Sequence, residues 1–418
     1  MIPISDIKNK YGISMALTIL CCRIYFKTAE IDDLKHFIAN NKIDWQDCFK
    51  TCRKHRIRPL VYLILLKIKL TDEIKLKLNR ELKQISIHNI KLSAETERLI
   101  NLLNENEIKV LPYKGAAYSK QFFGNINMRE SSDIDLIIDP NDLSKLFPIM
   151  EKQGFQSYQL EYYHRIGHKR FIQTHKDFNF DLFIGEKIEF HIEFHFNIIN
   201  KNLHIHKELN YFDWNNTVKN QLINKQIPFL NPTEHFKAVS MHHMLQDQLG
   251  HLKTMVDLAQ GMKWIENDNN QNDSNNSKKL ILPLLDKKLN TNIVKKINNE
   301  LLGIQFKHNF VQENKINIFT DFILSNSYQK MRDNKFPILD AIKYHYYIIK
   351  RTKQLYNNIP DKLHYLYNQI LSIIRPQVID FKLIKINSRF YFLYYIARPL
   401  RLIFNPQNPQ LATKKKIT

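Results

Sequence analysis

Glycine is scarce in this chain, with nine in 418 residues, against an average usage of about 7%. Neither G-x-G-x-x-G nor G-x-x-x-x-G-K-[ST] occurs, so dinucleotide oxidoreductases and P-loop NTPases drop well down the list. Cysteine is limited to Cys21, Cys22, Cys48 and Cys52, all in the first 52 residues and without the paired C-x-x-C spacing of a structural zinc site. These read as core thiols of a reducing cytosol. Long apolar runs are missing as well. The longest, Phe390 to Ala397, has eight residues and cannot span about 30 Å of hydrocarbon. The opening MIPISDIKNKYGIS has no basic stretch leading into an apolar one. The expectation is therefore a cytoplasmic protein with neither export nor a transmembrane helix.

Acidic residues are also in short supply, 41 against 62 basic ones, for a net charge of +21. That favours polyanionic partners such as nucleotides, nucleic acid or an acidic membrane. Only 15 of the basic residues are arginine. A Lys-, Asn- and Ile-heavy composition also follows from genome base bias, so most individual lysines read as solvated surface. The remainder, 44% hydrophobic and 25% charged, is ordinary globular composition, and the length suits two or three domains at roughly 150 residues each.

Residues 1–106 read as an N-terminal helical region. Its apolar positions recur with helical spacing from about Ile31, as in Leu78, Leu82, Ile85, Ile87, Ile90 and Leu92. Residues 107–231 read as an α/β core: a strand at 108–113, a helix at 115–123 ending at Gly124, a strand at 133–139, and a helix from Pro140 to Lys152 closed by Gly154. Further strands are expected at 154–162, 168–174, 177–184 and 187–197. In the last, Ile188, Phe190, Ile192, Phe194 and Phe196 alternate with Glu189, His191, Glu193, His195 and Asn197, as in an antiparallel sheet with one apolar and one polar face. Residues 232–418 read as a C-terminal helical region, opening with a helix over 233–266 capped by Thr233 and interrupted by a mobile polar loop at 267–279.

The densest chemistry lies between Tyr113 and Asp139. Asp133 and Asp135 share one face of a strand, where oxygen ligands suit Mg²⁺ or Mn²⁺ carrying substrate phosphates. Lys114 and Gly115 stand where a strand meets a helix N-terminus, a place favourable to an anion. Arg129 supplies a forked donor for a second phosphate or for a buried structural partner.

Lys114-Gly115-Ala116-Ala117, a helix, and then Arg129-x-Ser131-x-Asp133-Ile134-Asp135-Leu136 resemble the nucleotidyltransferases of the DNA polymerase β superfamily. They are most similar to an uncharacterised bacterial nucleotidyltransferase family, and also resemble the abortive-infection toxin nucleotidyltransferases. The resemblance centres on residues 108–200. It extends more loosely to 192–197, to the helix with His243 and Asp257, and to RFYFLYYIARPLR at 389–401. It implies an α+β protein with a polymerase-β-like core between helical regions, and Mg²⁺-dependent transfer of a nucleoside monophosphate from an NTP. Asp133, Asp135 and Glu193 would be the catalytic, metal-binding carboxylates. Lys114, Gly115, Ala116, Arg129 and Ser131 would bind the nucleotide, with His195, His243 and Asp257 as accessories. The superfamily's usual Gly-Ser or Gly-Gly turn is here Gly115-Ala116, leaving backbone amides and Lys114 at the phosphate.

Asp181 and Glu189 remain alternatives to Glu193, and His195 suits orienting a carboxylate, touching an acceptor, or packing. His242, His243 and His251 lack the H-E-x-x-H arrangement and read as core or capping residues. Lys120, Arg165, Lys169 and Arg170 could guide a polyanion, and the aromatic stretches Tyr344–Tyr347 and Phe390–Tyr395 could stack bases, although helical packing suits both better. The acceptor is open: a small molecule or glycan, a protein, or tRNA. The competing reading is a catalytically inactive nucleotide- or RNA-binding module that keeps the fold.

Overall fold

The structure is a computed structural model that describes residues 1–200, 203, 210–214, 216–268, 289–306, 318–325, 338–383, 386 and 388–404. It combines helices with two small sheets, an α+β architecture. The N-terminal helices are α1 (Ile4–Tyr11), α2 (Ile13–Tyr25), α3 (Ile31–Ala39), α4 (Trp45–Lys54), α5 (Arg58–Leu65) and the long α6 (Asp72–Glu105). The Asp44 side chain accepts the Gln46 and Asp47 amides to start α4, and Glu30 with Asp33 forms a capping box on α3. All four cysteines are buried free thiols in this region.

The main sheet has the order β1-β2-β4-β3, from β1 (Val110–Tyr113), β2 (Ile134–Ile138), β3 (Asp177–Ile184) and β4 (Lys187–His195). It is mixed rather than purely antiparallel, because β2 and β4 run parallel. Helix α7 (Gly115–Phe123) connects β1 towards β2, and α8 (Leu143–Lys152) follows β2. The alternation sorts the side chains onto two faces. Val110, Ile134, Leu136, Ile192, Phe194, Phe178 and Phe180 join one apolar cluster, while Leu111, Tyr113 and Ile137 face a second one built with the N-terminal helices. Between Leu182 and Phe183 the register shifts so that Phe190 and Ile188 are the successive partners, leaving Glu189 bulged out.

The strand expected at 168–174 is the helix α10 (His168–Thr174), and the end of the one expected at 154–162 is taken into the helix α9 (Leu160–Ile166). Tyr162, Tyr163, Ile166 and Phe171 are buried at helical spacing, and that periodicity outweighs the β-propensity of the aromatics. Of the expected strand at 154–162, only a single bridge from Gln156 to Asp181 forms. A second sheet, β5 (Thr217–Gln221) with β6 (Gln226–Leu230), was not anticipated.

The helix expected at 233–266 is two helices, α11 (Pro232–Met241) and α12 (Leu252–Asp268), separated by a π-helical turn at His242–Gln246 and a connection in which Gln248 and Leu249 have positive φ. Its N-cap is Asn231, whose side chain accepts the Thr233 amide, not Thr233 itself. Most of the polar loop expected at 267–279 lies outside the described residues, as does the side chain of Tyr344. Among the described residues no helix is long and apolar enough to cross a membrane.

Candidate active site

The polar row of the main sheet builds the site. Asp135 on β2 lies opposite Tyr113 on β1 and Glu193 on β4, and Glu193 lies opposite Asn179 on β3. The next row places His195 opposite Asp177. Two carboxylates are thus neighbours across a parallel strand pair, and the imidazole of His195 bridges them. Its Nε2 is 2.8 Å from Asp135 Oδ1 and 3.2 Å from Glu193 Oε2. Among the described residues, His195 Nδ1 is buried with no hydrogen-bond partner. Asp133 stands just before β2 at the mouth of this row.

Lys114 follows β1 with a positive φ (52°), as does Gly115 (41°), so the chain turns sharply into α7. That turn aims the Lys114 Nζ at Asp135 Oδ1, 3.2 Å away. The first amides of α7, at Gly115, Ala116 and Ala117, have no intrahelical acceptor. With Lys114, Ser131, Asp133 and Asp135 they line one small cavity. Ser131 Oγ reaches toward the turn and, among the described residues, has no hydrogen-bond partner.

Burial opposes ionisation of Asp135 and Glu193, yet both are held well below the usual carboxylate range. Lys114 and His195 do this for Asp135, and His191, His195 and Lys176 do it for Glu193. Asp133 goes the other way, pushed up by burial and by its two carboxylate neighbours. Lys176 Nζ lies 3.7 Å from Glu193 and also contacts Asp177, while His191 joins Asp181 at 2.5 Å and Glu193 at 3.5 Å. Despite burial, these two acids raise the His191 imidazole to about 10. The alternative acids are otherwise engaged: Asp181 with His191, and Glu189, bulged from the strand, with Lys91.

Arg129 has a buried structural partner. Its Nε lies 2.9 Å from both Asp257 oxygens, and its Nη1 donates to the Gly115 carbonyl at 3.1 Å, so it braces the turn from behind. His243 Nε2 is 3.0 Å from Asp257, and Tyr118 Oη donates to the Asp257 carbonyl at 2.8 Å. Asp257 therefore joins α12 to α7 and to the Arg129 loop. The structure brings Lys114, Gly115, Ala116, Ser131, Asp133, Asp135, Glu193 and His195 together, with Arg129, Asp257 and His243 directly behind.

The outlying candidates lie elsewhere. Arg165 donates to the Ile386 carbonyl and sits over Phe381, and Arg170 sits over Tyr391. Within 389–401, Arg398 and Arg401 both bind Asp380, in a packing role. Lys176 and Asp247 were not anticipated in the sequence. Asp247 lies four residues beyond His243, which was the available signal. Lys176 had none.

The model of an uncharacterised nucleotidyltransferase family matches residues 41–276, more than half of the chain. The chain belongs to this nucleotidyltransferase family. The match is wider than the 108–200 centre expected from the motifs. It takes in His243 and Asp257 but stops before the 389–401 element. No curated protein and no solved structure matches the chain.

Proposed function

We propose that this nucleotidyltransferase moves a nucleoside monophosphate from an NTP to an acceptor hydroxyl or phosphate, with release of pyrophosphate, on a polymerase-β-like core. The observation that carries this reading is the pairing of Asp135 with Glu193 across β2 and β4, with Asp133 at the mouth and Lys114 on the phosphate-turn side. Carboxylate oxygens suit Mg²⁺ or Mn²⁺, which Asp133, Asp135 and Glu193 would hold: Asp135 and Glu193 offer atoms within 4.8 Å of each other and of His195, and Asp133 lines the cavity beside Asp135. When bound, such ions neutralise triphosphate charge and lower the pKa of the acceptor hydroxyl.

The chain's own groups do the rest. Lys114 and the free amides at the start of α7 receive phosphate oxygens, and Ser131 Oγ is placed to donate where Ala116 has no hydroxyl. His195 donates from Nε2 to both carboxylates and keeps them on one side of the site. Arg129 supports the Gly115 carbonyl and acts on the phosphate through the turn it braces. The buried free thiols agree with a reducing, cytoplasmic setting.

Incubation with labelled NTPs, Mg²⁺, and total cell RNA or lysate tests the proposal and identifies the acceptor. Label appearing on RNA, protein or a small molecule, and lost in Asp135→Asn with the circular dichroism spectrum unchanged, is the expected outcome. Metal-dependent transfer that persists in Asp135→Asn would sink the assignment. NTP binding without any transfer would instead support the non-catalytic binding module.

A further inference from the structure

Among the described residues, a second set of ligand atoms converges outside the carboxylate row. At the π-helical turn that follows α11, His242 Nδ1 and His243 Nδ1 both face one oxygen, Asp247 Oδ2, at 3.3 and 2.7 Å. We propose that His242, His243 and Asp247 bind a divalent transition-metal ion, with Zn²⁺ as the ion to test, separately from the carboxylate site.

Three observations support it. Ligand atoms bonded to one zinc at about 2.0–2.2 Å stand roughly 3 Å from each other; the two imidazole nitrogens stand 3.3 and 2.7 Å from Asp247 Oδ2, and all three atoms lie within 4.8 Å of one another. His243 turns its far nitrogen, Nε2, to the buried Asp257 carboxylate, itself gripped by Arg129. A carboxylate behind an imidazole is the usual outer shell of a metal-binding histidine, and it fixes the proton on Nε2. The lone pair of Nδ1 then meets the Asp247 oxygen at 2.7 Å, acceptor against acceptor, which calls for a cation.

The backbone is the third observation. Consecutive residues of an α-helix do not face a common point, and the π turn is what brings His242 and His243 onto one carboxylate. Gln248 and Leu249 then adopt φ of 53° and 52°, left-handed conformations that residues with side chains adopt only at a cost. Two imidazoles and one carboxylate favour Zn²⁺ over Mg²⁺, and three protein ligands leave a position open to water or a substrate oxygen.

The decisive measurement is Zn²⁺ stoichiometry by elemental analysis after chelator treatment and reloading. Glu193→Gln is used as the background so that the carboxylate site does not compete. One equivalent is expected in Glu193→Gln, and binding at least about tenfold weaker after adding either His242→Gln or Asp247→Asn. Substitution by Co²⁺ in the Glu193→Gln protein, read by its visible spectrum and its displacement by Zn²⁺, gives the answer even if a double variant does not fold. Absence of bound Zn²⁺ and of a Co²⁺ spectrum in Glu193→Gln overturns the proposal, as does full retention in both double variants. A proton shared between His243 and Asp247 would then be the cation. Because stoichiometry is read without turnover, failure here leaves the transferase reading untouched, and the converse holds too.

Discussion

Lys114 carries much of the site's charge balance. It is buried, it faces a buried carboxylate, and both partners favour the charged state in each other's presence. Replacing it by Met leaves Asp135 with His195 alone. Removing one member of a buried pair costs about 3–5 kcal/mol, so the urea midpoint of Lys114→Met should fall clearly. The double variant Lys114→Met/Asp135→Asn should recover part of that loss, and strictly additive losses would show that the pair is not coupled. Lys253 provides a pH test. Burial, with Arg129 and Arg56 nearby, lowers its ammonium from 10.5 to about 7. Between about pH 7 and 10.5 the unfolded chain binds more protons at this residue than the native one, so its contribution to stability rises with pH there and is flat below. Wild type should gain stability relative to Lys253→Met across that window, measured by urea unfolding at stepped pH; a constant difference would refute the shift. At this scale period-two alternation put Asp133 and Asp135 on one strand face, whereas Glu193 was preferred to Asp181 and Glu189 through the family resemblance. Lys176 and Asp247 were not, because they enter from segments whose placement depends on tertiary packing.

At the level of elements, helix α12 approaches α7 and α11 through Gly261. A Cβ there would lie 2.3 Å from the Phe236 ring and 2.7 Å from Tyr118 Oη. In an exposed helix, Gly→Ala gains up to about 1 kcal/mol. Here overpacking costs about 1–3 kcal/mol, and the strain falls on the Phe236 ring and on Tyr118, whose hydroxyl holds the Asp257 carbonyl. Gly261→Ala should therefore lower the thermal midpoint, and a raised midpoint would show that the helices separate freely. Motif-bearing elements were read well, since Gly124, Pro140 and Gly154 punctuate them. The errors fell where chemistry was silent. Tyr162 and Tyr163 of α9 and Phe171 and Ile172 of α10 suited strand propensity locally, and only burial at helical spacing decides between the two. The break between α11 and α12 was hidden because HHMLQDQLG contains no proline, and its single glycine comes after the turn.

For the molecule as a whole, the main sheet lies between two apolar clusters, and segments distant in sequence close each of them. On one side Arg23 of α2 donates to the carbonyls of Leu301 and Ile2, tying the N-terminal helices to the helix Thr291–Leu302. On the other, Phe381 and Tyr394 complete the cluster formed by Phe171, Phe178 and Phe194, and Tyr162 meets Tyr391 through their hydroxyls. The polar row of the sheet therefore sits in a frame fixed by both ends of the chain, which local sequence patterns could not reveal. Asp380 holds the second clasp, accepting from Arg398 at 3.0 Å and Arg401 at 2.5 Å. With Asp380 and Arg398 both buried, Asp380→Ala would remove the carboxylate that Arg398 and Arg401 share, at a cost of about 3–5 kcal/mol. The loss should appear first as proteolysis within 378–404 and as hydrogen exchange in α9 and α10, with β1, β2 and α7 protected for longer. Uniform loss of protection across all of these elements would mean that the two clusters unfold as one unit and that the clasp does not act locally.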